Sequence, residues 1–373
     1  MHYQRDIRRI QIELSNVCNS QCPGCGRFER DWKKLDTVIQ QDNRLDIYNV
    51  PLKLKDSINL SSPEHMNLDI IKDLLTSESL DKLETFELAG TVDDPFAYKY
   101  LLELFEHIAE YHSHLKLIMH TNGSIRTPDF FAKLPLIFSK FKTLPRVFFS
   151  IDGLEDTNHI YRRQCQWNKI MENAQAFIDA GGKAEWQFII FPWNKHQVQD
   201  AELLSKQMGF HSFKTREDRS ELTNLHNNYW PKVTWEKWKT MPKTTFKVDP
   251  EQQPIDPNDV ITCSYLPLNA YVIEFNGSVW PCCYFSSSRA QKTSQEHHDA
   301  PFKQYGDNWN NLNYHSFDDI VEHRFYTEDL VDSWSSTKHG YGLKERIFRC
   351  TSTCSKSKNF DNASNKLQEK RFK

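Results

Sequence analysis

Short apolar segments alternate with segments of helical periodicity along the first 216 residues. In the first segment Ile10, Ile12 and Leu14 alternate with Gln11 and Glu13, which is the period-two pattern of a β-strand. Five further strands are predicted at residues 84–89, 115–120, 146–151, 184–191 and 210–214. Apolar residues recur at helical spacing between them, at residues 66–75, 101–108, 130–138, 170–178 and 198–208. Six strands alternating with five helices predict an α/β fold of parallel β/α units.

The pattern changes after residue 216, which predicts a domain junction. Residues 217–262 are polar, rich in tryptophan and interrupted by proline, so they are interpreted as a linker between residues 1–216 and a second unit at 263–355. A β-hairpin is predicted in the second unit, with Asn276-Gly277 as its two-residue turn. Residues 286–310 are expected to be an exposed insertion, and residues 356–373 a polar, basic tail.

Composition and charge exclude several classes of protein. The chain has 373 residues, 38% of them hydrophobic and 26% charged, which is typical of a globular protein of about two domains. Its formal net charge of -3 lacks the basic excess of a dedicated nucleic-acid binder. No apolar run is long enough to span a bilayer, and the N-terminus lacks the apolar core of a secretory signal. The sequence therefore predicts a cytoplasmic protein without a membrane partner.

The cysteines fall into two groups, which predicts two thiolate sites. Cys18, Cys22 and Cys25 have the spacing C-x-x-x-C-x-x-C, which nine cysteines in 373 residues would produce by chance about 0.005 times. A structural zinc site requires four ligands, and the same loop contains no histidine. Three thiolates are sufficient to hold a [4Fe-4S] cluster by three irons, which leaves the fourth iron open to another ligand.

The cysteine loop CNSQCPGC resembles that of the radical S-adenosylmethionine (SAM) superfamily. This resemblance implies a partial (β/α)6 TIM-like barrel, a [4Fe-4S] cluster on Cys18, Cys22 and Cys25, and SAM bound at the open iron. The family's G-G-E-P motif corresponds to AGTVDDP here, and Gly90 and Asp94 are the implied contacts to SAM. This copy has Asp93 and Asp94 where the family has glycine and glutamate.

Three weaker motifs complete the implied SAM site. Ser150 of SIDG, Arg163 of the Arg162-Arg163 pair and Asn194 after the fifth strand are the implied contacts, whereas Asp152 is interpreted as a turn residue. Turn geometry alone explains each of these short motifs about as well as SAM binding does.

The C-terminal cysteines resemble the SPASM/twitch extension of such enzymes. The resemblance implies one auxiliary [4Fe-4S] cluster on Cys263, Cys282, Cys350 and Cys354, with Cys283 as an alternative to Cys282. A structural zinc site with the same four thiolates is the competing interpretation. Cys165 stands apart and is interpreted as a small buried hydrophobic residue.

The resemblance implies reductive cleavage of SAM to a 5′-deoxyadenosyl radical, which abstracts hydrogen from a substrate. The implied substrate is a peptide or protein side chain or a small metabolite, and the implied reductant is a flavodoxin or ferredoxin. The alternatives are a dehydrogenase or epimerase acting on a sugar-like substrate, or a non-catalytic zinc or iron-sulfur module. His120, Lys214 and Glu87 lie near strand ends, but the sequence does not distinguish a proton-transfer residue among them. Aromatic residues between Tyr229 and Trp238 are compatible with stacking on nucleic-acid bases, although packing is the commoner use of such residues.

Overall fold

A computed structural model gives the structure of most of the chain. It describes residues 6–30, 52–54, 64–89, 92–218, 260–263, 265, 269–285, 301–336, 339–340, 345–347, 350–351, 354 and 368–371. Gly90 and the aromatic stretch 229–238 lie outside the described residues, as does most of the predicted linker. The predicted domain boundaries therefore stay predictions.

A nine-stranded, mainly parallel sheet forms the centre of the fold. The strands of the described residues are β1 (Arg9–Ile12), β2 (Phe28–Arg30), β3 (Leu52–Leu54), β4 (Thr85–Leu88), β5 (Lys116–Thr121), β6 (Arg146–Ser150), β7 (Lys183–Ile190), β8 (Ser212–Glu217), β9 (Ala270–Ile273), β10 (Val279–Trp280), β11 (His339–Gly340), β12 (Arg346–Ile347) and β13 (Gln368–Arg371). The sheet order is β10-β9-β1-β4-β5-β6-β7-β8-β13. Strands β9 to β8 in this order pair in parallel, and β10 and β13 pair antiparallel at the two edges.

Helices connect the parallel strands as predicted. They are α1 (Leu68–Leu75), α2 (Leu101–Tyr111), α3 (Pro128–Phe138), α4 (Asn158–Tyr161), α5 (Trp167–Asp179) and α6 (Val198–Met208), whereas α7 (Phe317–Glu322) follows the edge strand β10. Five of them correspond to the predicted helices, and the single-turn helix α4 is an addition. Each connection joins neighbouring parallel strands, and the right-handed rule for such crossovers places the helices on one face of the sheet. The α/β fold class is confirmed, and so are the six predicted strands with five predicted helices between them.

The hydrophobic core lies between the sheet and these helices. Alternate residues of each strand, such as Ile10, Ile12, Phe86 and Leu88, are fully buried in it. The intervening residues of the same strands face the opposite side, which is called the inner face here. In the part of the chain that the structure describes, no helix has the length and apolarity needed to cross a membrane.

The predicted hairpin exists, but its turn is shifted and its position was not foreseen. The N–H of Gly277 donates to Glu274 O at 2.8 Å, so Phe275 and Asn276 are the central turn residues. Gly277 follows with a φ of +91°, in the three-residue hairpin with a glycine bulge rather than the two-residue form. The hairpin joins the main sheet, because β9 pairs in parallel with β1.

One expectation for the C-terminal third is wrong in part, and a second segment contains a strand that was not predicted. The segment predicted to be an exposed insertion ends in buried residues, since Trp309 is 6% exposed and Asn310 is fully buried. Its residues 286–300 lie outside the described residues. The predicted polar tail contains β13, which adds an antiparallel strand to the outer edge of β8. In both cases a polar stretch contains positions that pair or pack with distant elements.

Candidate functional site

The three clustered cysteines lie on the loop that follows β1. Because parallel strands end at one edge of a sheet, this loop meets the loops that follow β4, β5 and β6. Cys22 is buried, and Cys18 and Cys25 are partly buried. The N–H of Cys25 donates to Cys22 O at 3.0 Å, which closes a tight turn between two of the thiols. The fold therefore delivers the cysteines to the edge where the sequence predicted them.

Two adjacent aspartates join this loop to neighbouring loops through hydrogen bonds. Asp93 accepts hydrogen bonds from the N–H groups of Leu14 (3.0 Å) and Ser15 (3.1 Å). Asp94 accepts from Thr121 Oγ1 (2.9 Å) and from the N–H of Asn122 (2.7 Å). Burial raises the pKa of Asp94 to about 6. These contacts give Asp94 a structural role in the loop, and its predicted contact with SAM stays a prediction.

Hydrogen-bond donors are directed at the sulfurs of this loop. The N–H of Ser20 donates to Cys18 Sγ at 3.4 Å, and Ser20 Oγ lies 2.9 Å from Cys22 Sγ. Asn122 Nδ2 donates to Cys18 Sγ at 3.7 Å, and Arg162 Nη1 donates to Cys22 Sγ at 3.6 Å. Such donors stabilise the negative charge of iron-bound thiolates and set cluster potentials.

The surroundings of the cysteine loop change the ionisation of two of its thiols. Burial raises the pKa of Cys18, and the nearby Asp94 carboxylate raises it further. Burial likewise raises the pKa of Cys25. Without a metal both groups are therefore neutral thiols, whereas a bound metal removes their protons. The donor set of one buried and two partly buried cysteines, surrounded by N–H and O–H groups, fits an iron-sulfur cluster.

No three or more His, Cys, Asp or Glu side chains of the described residues converge as one metal ion requires. A cubane cluster binds each thiolate to a different iron, so its ligand sulfurs need not converge on one point.

The side chain of Arg162 reaches the cysteine loop. Its Nε donates to Asp152 Oδ2 at 2.6 Å, and Asp152 Oδ1 accepts from the N–H of Ile189 at 2.6 Å. Burial alone would lower the pKa of Arg162, but the charge of Asp152 raises it well above its ordinary value. Arg163 contacts the loop through its carbonyl oxygen, which accepts from the N–H of Gln21 at 3.1 Å. Asp152 is thus a buried ion-pair partner as well as a turn residue, and two adjacent arginines gave no sequence signal to separate them.

The other two predicted SAM contacts lie near the same edge. Ser150 is partly buried at the end of β6 and is on the inner face, two residues after Phe148. Asn194 is fully buried, and its Nδ2 donates to the carbonyl oxygens of Asp152 (3.0 Å) and Ile189 (2.9 Å). Asn194 therefore braces the loops after β6 and β7, and the SAM-binding roles of both residues stay predictions.

The C-terminal cysteines are also close to one another. Burial raises the pKa of Cys282, and the charges of Cys283, Cys350 and Cys263 add to this effect. Burial likewise raises the pKa of Cys350, with contributions from Cys354 and Cys263. The structure thus groups the four predicted ligands, with Cys283 beside them. It leaves open the choice between Cys282 and Cys283.

The inner face of the sheet brings together the three polar residues that the sequence did not distinguish. His120 Nε2 lies 3.3 Å from Glu87 Oε1, and the His120 ring stacks on Phe148 with their centroids 4.8 Å apart. Lys214 Nζ lies 4.6 Å from the centroid of the same Phe148 ring and 2.9 Å from Glu185 Oε2. Sequence reasoning missed Glu185, although a glutamate inside the apolar strand AEWQFIIF was the signal for it.

The Glu185→Gln variant is expected to reveal how strongly this inner-face network stabilises the fold. Glu185 is fully buried, and ion pairs with Arg146 and Lys214 overcome the effect of burial and lower its pKa from 4.5 to about 2. A carboxylate with a lowered folded-state pKa stabilises the protein above its unfolded pKa, and this stabilisation is lost as the pH falls through the folded pKa. We expect the variant to lose about 3 kcal/mol of unfolding free energy at pH 7 and almost none at pH 2.

Urea denaturation of both proteins across this pH range measures the difference. The exposed Glu84, paired with Arg8, provides the control variant Glu84→Gln, which is expected to lose less than about 1 kcal/mol at any pH. A loss in Glu185→Gln that did not change with pH would contradict the assignment.

Comparison with known proteins identifies similar structures but no sequence relatives. No protein-family model matches the chain, and no curated protein matches it. The chain is similar to Streptococcus suis SuiB bound to S-adenosylmethionine, at 13% identity and a TM-score of 0.46, over 77% of this chain and 61% of SuiB. It is similar to anSMEcpe with bound AdoMet and the Cp18Cys peptide, at 12% identity and a TM-score of 0.46, over 95% of this chain and 92% of that one.

A third similar structure is BtrN in complex with AdoMet and 2-DOIA. It is 13% identical with a TM-score of 0.37, over 92% of this chain and 96% of BtrN. All three bind S-adenosylmethionine. The chain spans less than two thirds of the length of SuiB. At this level of identity and TM-score, these likenesses carry no argument about activity, which has to be argued from the chain's own residues.

Proposed function

We propose that this protein is a radical SAM enzyme. The observation that carries the proposal is the partly buried loop after β1, where Cys18, Cys22 and Cys25 lie among the N–H and O–H donors of Ser20, Asn122 and Arg162. When bound there, a [4Fe-4S] cluster would supply the electron that cleaves SAM to methionine and a 5′-deoxyadenosyl radical. The radical would then abstract hydrogen from the substrate.

The chain's own residues bind and orient in this proposal. The three cysteines hold the cluster, and Ser20, Asn122 and Arg162 stabilise the charge of its thiolates. Asp93 and Asp94 fix the loop against β1 and β5, and Gly90, Asp94, Ser150, Arg163 and Asn194 remain the proposed SAM contacts.

We propose a second cluster at the C-terminal cysteines. Cys263, Cys282, Cys350 and Cys354 are the proposed ligands, and their mutual electrostatic influence supports a shared site. The proposed substrate is a peptide or protein side chain or a small metabolite, and a sugar-like substrate is the alternative. The charged inner face, with His120 beside Glu87, favours a polar substrate group. The proposed setting is the cytoplasm, with a flavodoxin or ferredoxin as reductant.

A non-catalytic zinc or iron-sulfur module is the candidate from a different class. Anaerobic purification and reconstitution of the full chain separates the two. About eight irons per chain, together with 5′-deoxyadenosine formed from SAM under dithionite, support the enzyme. Two zinc ions per chain and no SAM cleavage would support the module instead.

The Cys350→Ala variant is expected to lose the second cluster alone. Its iron content should fall from about eight to about four per chain, because a cubane with three protein ligands is labile in a site built for four. It should still cleave SAM in the absence of substrate, since the loop after β1 is unchanged. Iron analysis and 5′-deoxyadenosine quantification measure both effects.

The control for this variant is Cys165→Ala, which removes a buried thiol outside both groups. It is expected to keep the full iron content. An unchanged iron content in Cys350→Ala would remove the proposed auxiliary site.

A further inference from the structure

Of the three polar residues that meet on the inner face, His120 is the most exposed. Its side chain is 26% exposed, compared with 10% for Glu87 and 7% for Lys214. Its ring stacks on Phe148 with an angle of 13° between the ring planes, which restricts its orientation. A side chain that is held in place and still partly open is able to meet a ligand.

The other two residues are held by their neighbours. Burial alone would raise the pKa of Glu87, but the contact with His120 and the charge of Arg9 lower it to about 2. Lys214 Nζ lies 2.9 Å from Glu185 Oε2, so its ammonium group is paired. Neither arrangement favours proton exchange near neutral pH, whereas imidazole both takes and gives a proton in that range.

The charged groups around His120 come from several strands, and most of them are paired with one another. They are Arg9 with Glu87, Arg146 and Lys214 with Glu185, and Asp94, which accepts from Thr121. Glu87 is the carboxylate beside the imidazole, with its Oε1 3.3 Å from His120 Nε2. A carboxylate at one ring nitrogen holds the proton there and leaves the other nitrogen, Nδ1, as the proton acceptor.

The register of β5 places His120 next to the cysteine loop. Asn122 follows His120 by two residues, which span at most about 7 Å. Asn122 Nδ2 in turn donates to Cys18 Sγ at 3.7 Å. On the neighbouring strand His120 pairs with Phe148, and Ser150, a proposed SAM contact, follows on the same face. His120 therefore lies one step below the proposed SAM site, on the face where a substrate would meet the radical.

We propose that His120 is the catalytic residue that exchanges a proton with the substrate, and that Glu87 is the positioning residue that holds its ring. This inference rests on the proposed function, because it needs a substrate beside SAM. The proton of a substrate hydroxyl or amino group moves to Nδ1, and its bonding electrons stay on the oxygen or nitrogen. Glu87 balances the charge of the imidazolium that forms. The substrate class is therefore one with a hydroxyl or amino group near the reacting carbon.

Chemical modification of the reconstituted wild-type protein tests whether His120 is open beside SAM. Diethyl pyrocarbonate reacts with an accessible, unprotonated imidazole nitrogen, and peptide mass spectrometry measures the modified fraction. We expect His120 to be modified without SAM. At about ten times the SAM dissociation constant, and without reductant, its modification should be about tenfold slower, because only the SAM-free protein reacts. His114, exposed before the opposite end of β5, should be modified equally in both samples.

The Glu87→Gln variant tests the positioning role. The rate of His120 modification, measured against pH, gives the midpoint of its ionisation. We expect this midpoint to fall by about 1 pH unit in the variant, because a nearby carboxylate favours the charged imidazolium. The matched control is Glu84→Gln, which removes an exposed glutamate paired with Arg8 and should leave the midpoint unchanged.

Three results would count against this inference or its basis. If His120 in the folded protein is not modified, or is modified equally with SAM bound, the assignment of His120 is overturned and the proposed function is left intact. An unchanged midpoint in Glu87→Gln would overturn the role of Glu87. Equilibrium dialysis measures SAM binding independently, and a wild-type protein that binds no SAM would overturn the proposed function and the inference with it.

Discussion

The Cys22→Ala variant is expected to abolish the formation of 5′-deoxyadenosine from SAM. Cys22 is the buried central thiol of the loop after β1, and its sulfur receives contacts from Ser20 and Arg162. Its loss leaves two cysteines in this loop, which are too few to hold a cluster with a single open iron. Anaerobic reconstitution, reduction with dithionite and chromatographic quantification of 5′-deoxyadenosine measure the effect. We expect product at background level and an iron content lower by about four per chain.

Cys165→Ala is the matched control for this prediction as well. Cys165 is a buried thiol on the edge of the same site, close enough to Ser20 and Ser124 to hydrogen-bond with them. Its variant removes the same chemical group without removing a proposed ligand, so SAM cleavage should persist. Undiminished production of 5′-deoxyadenosine by Cys22→Ala would contradict the proposed function.

The sequence predicted those parts of the fold whose hydrophobic pattern lies within one short segment of the chain. The six strands and five helices followed from hydrophobic period alone, because each buries one face against the same core. The position of the hairpin did not follow, since pairing of β9 with β1 is a contact between distant segments. Trp309 and β13 escaped prediction for the same reason, because a polar segment does not reveal which of its positions a distant element will cover.

The site could be predicted to the level of its cysteines. Their spacing can be read directly from the sequence, so both the cysteine loop and its place after β1 were predicted. The residues around them depend on the register of neighbouring loops, so the contact of Arg162 with Cys22 could not be predicted. Glu87, His120 and Lys214 come from three strands, and the sheet order had to be known before they could be assigned to one face.

The Asp152→Ala variant is expected to cause the largest loss of stability among single changes at the site. Asp152 and Arg162 form a buried ion pair, and Asp152 also accepts the N–H of Ile189. Removing the carboxylate leaves a buried guanidinium without its counter-charge, which costs about 3–5 kcal/mol in comparable cases. Urea denaturation measures the change, and the control Asp156→Ala, an exposed partner of Gln197 Nε2 in the same loop, should lose about 1 kcal/mol or less.

The double variant Asp152→Ala/Arg162→Ala shows whether the uncompensated charge causes this loss. Removing Arg162 as well removes the buried charge, so the double variant should lose less stability than the sum of the two single variants. Because Arg162 Nη1 also donates to Cys22 Sγ, the single variant Asp152→Ala should weaken the hold of the loop on its cluster, which iron analysis detects. Additive losses in the cycle would mean that Asp152 acts mainly through Ile189, by joining the loop after β6 to the backbone of β7.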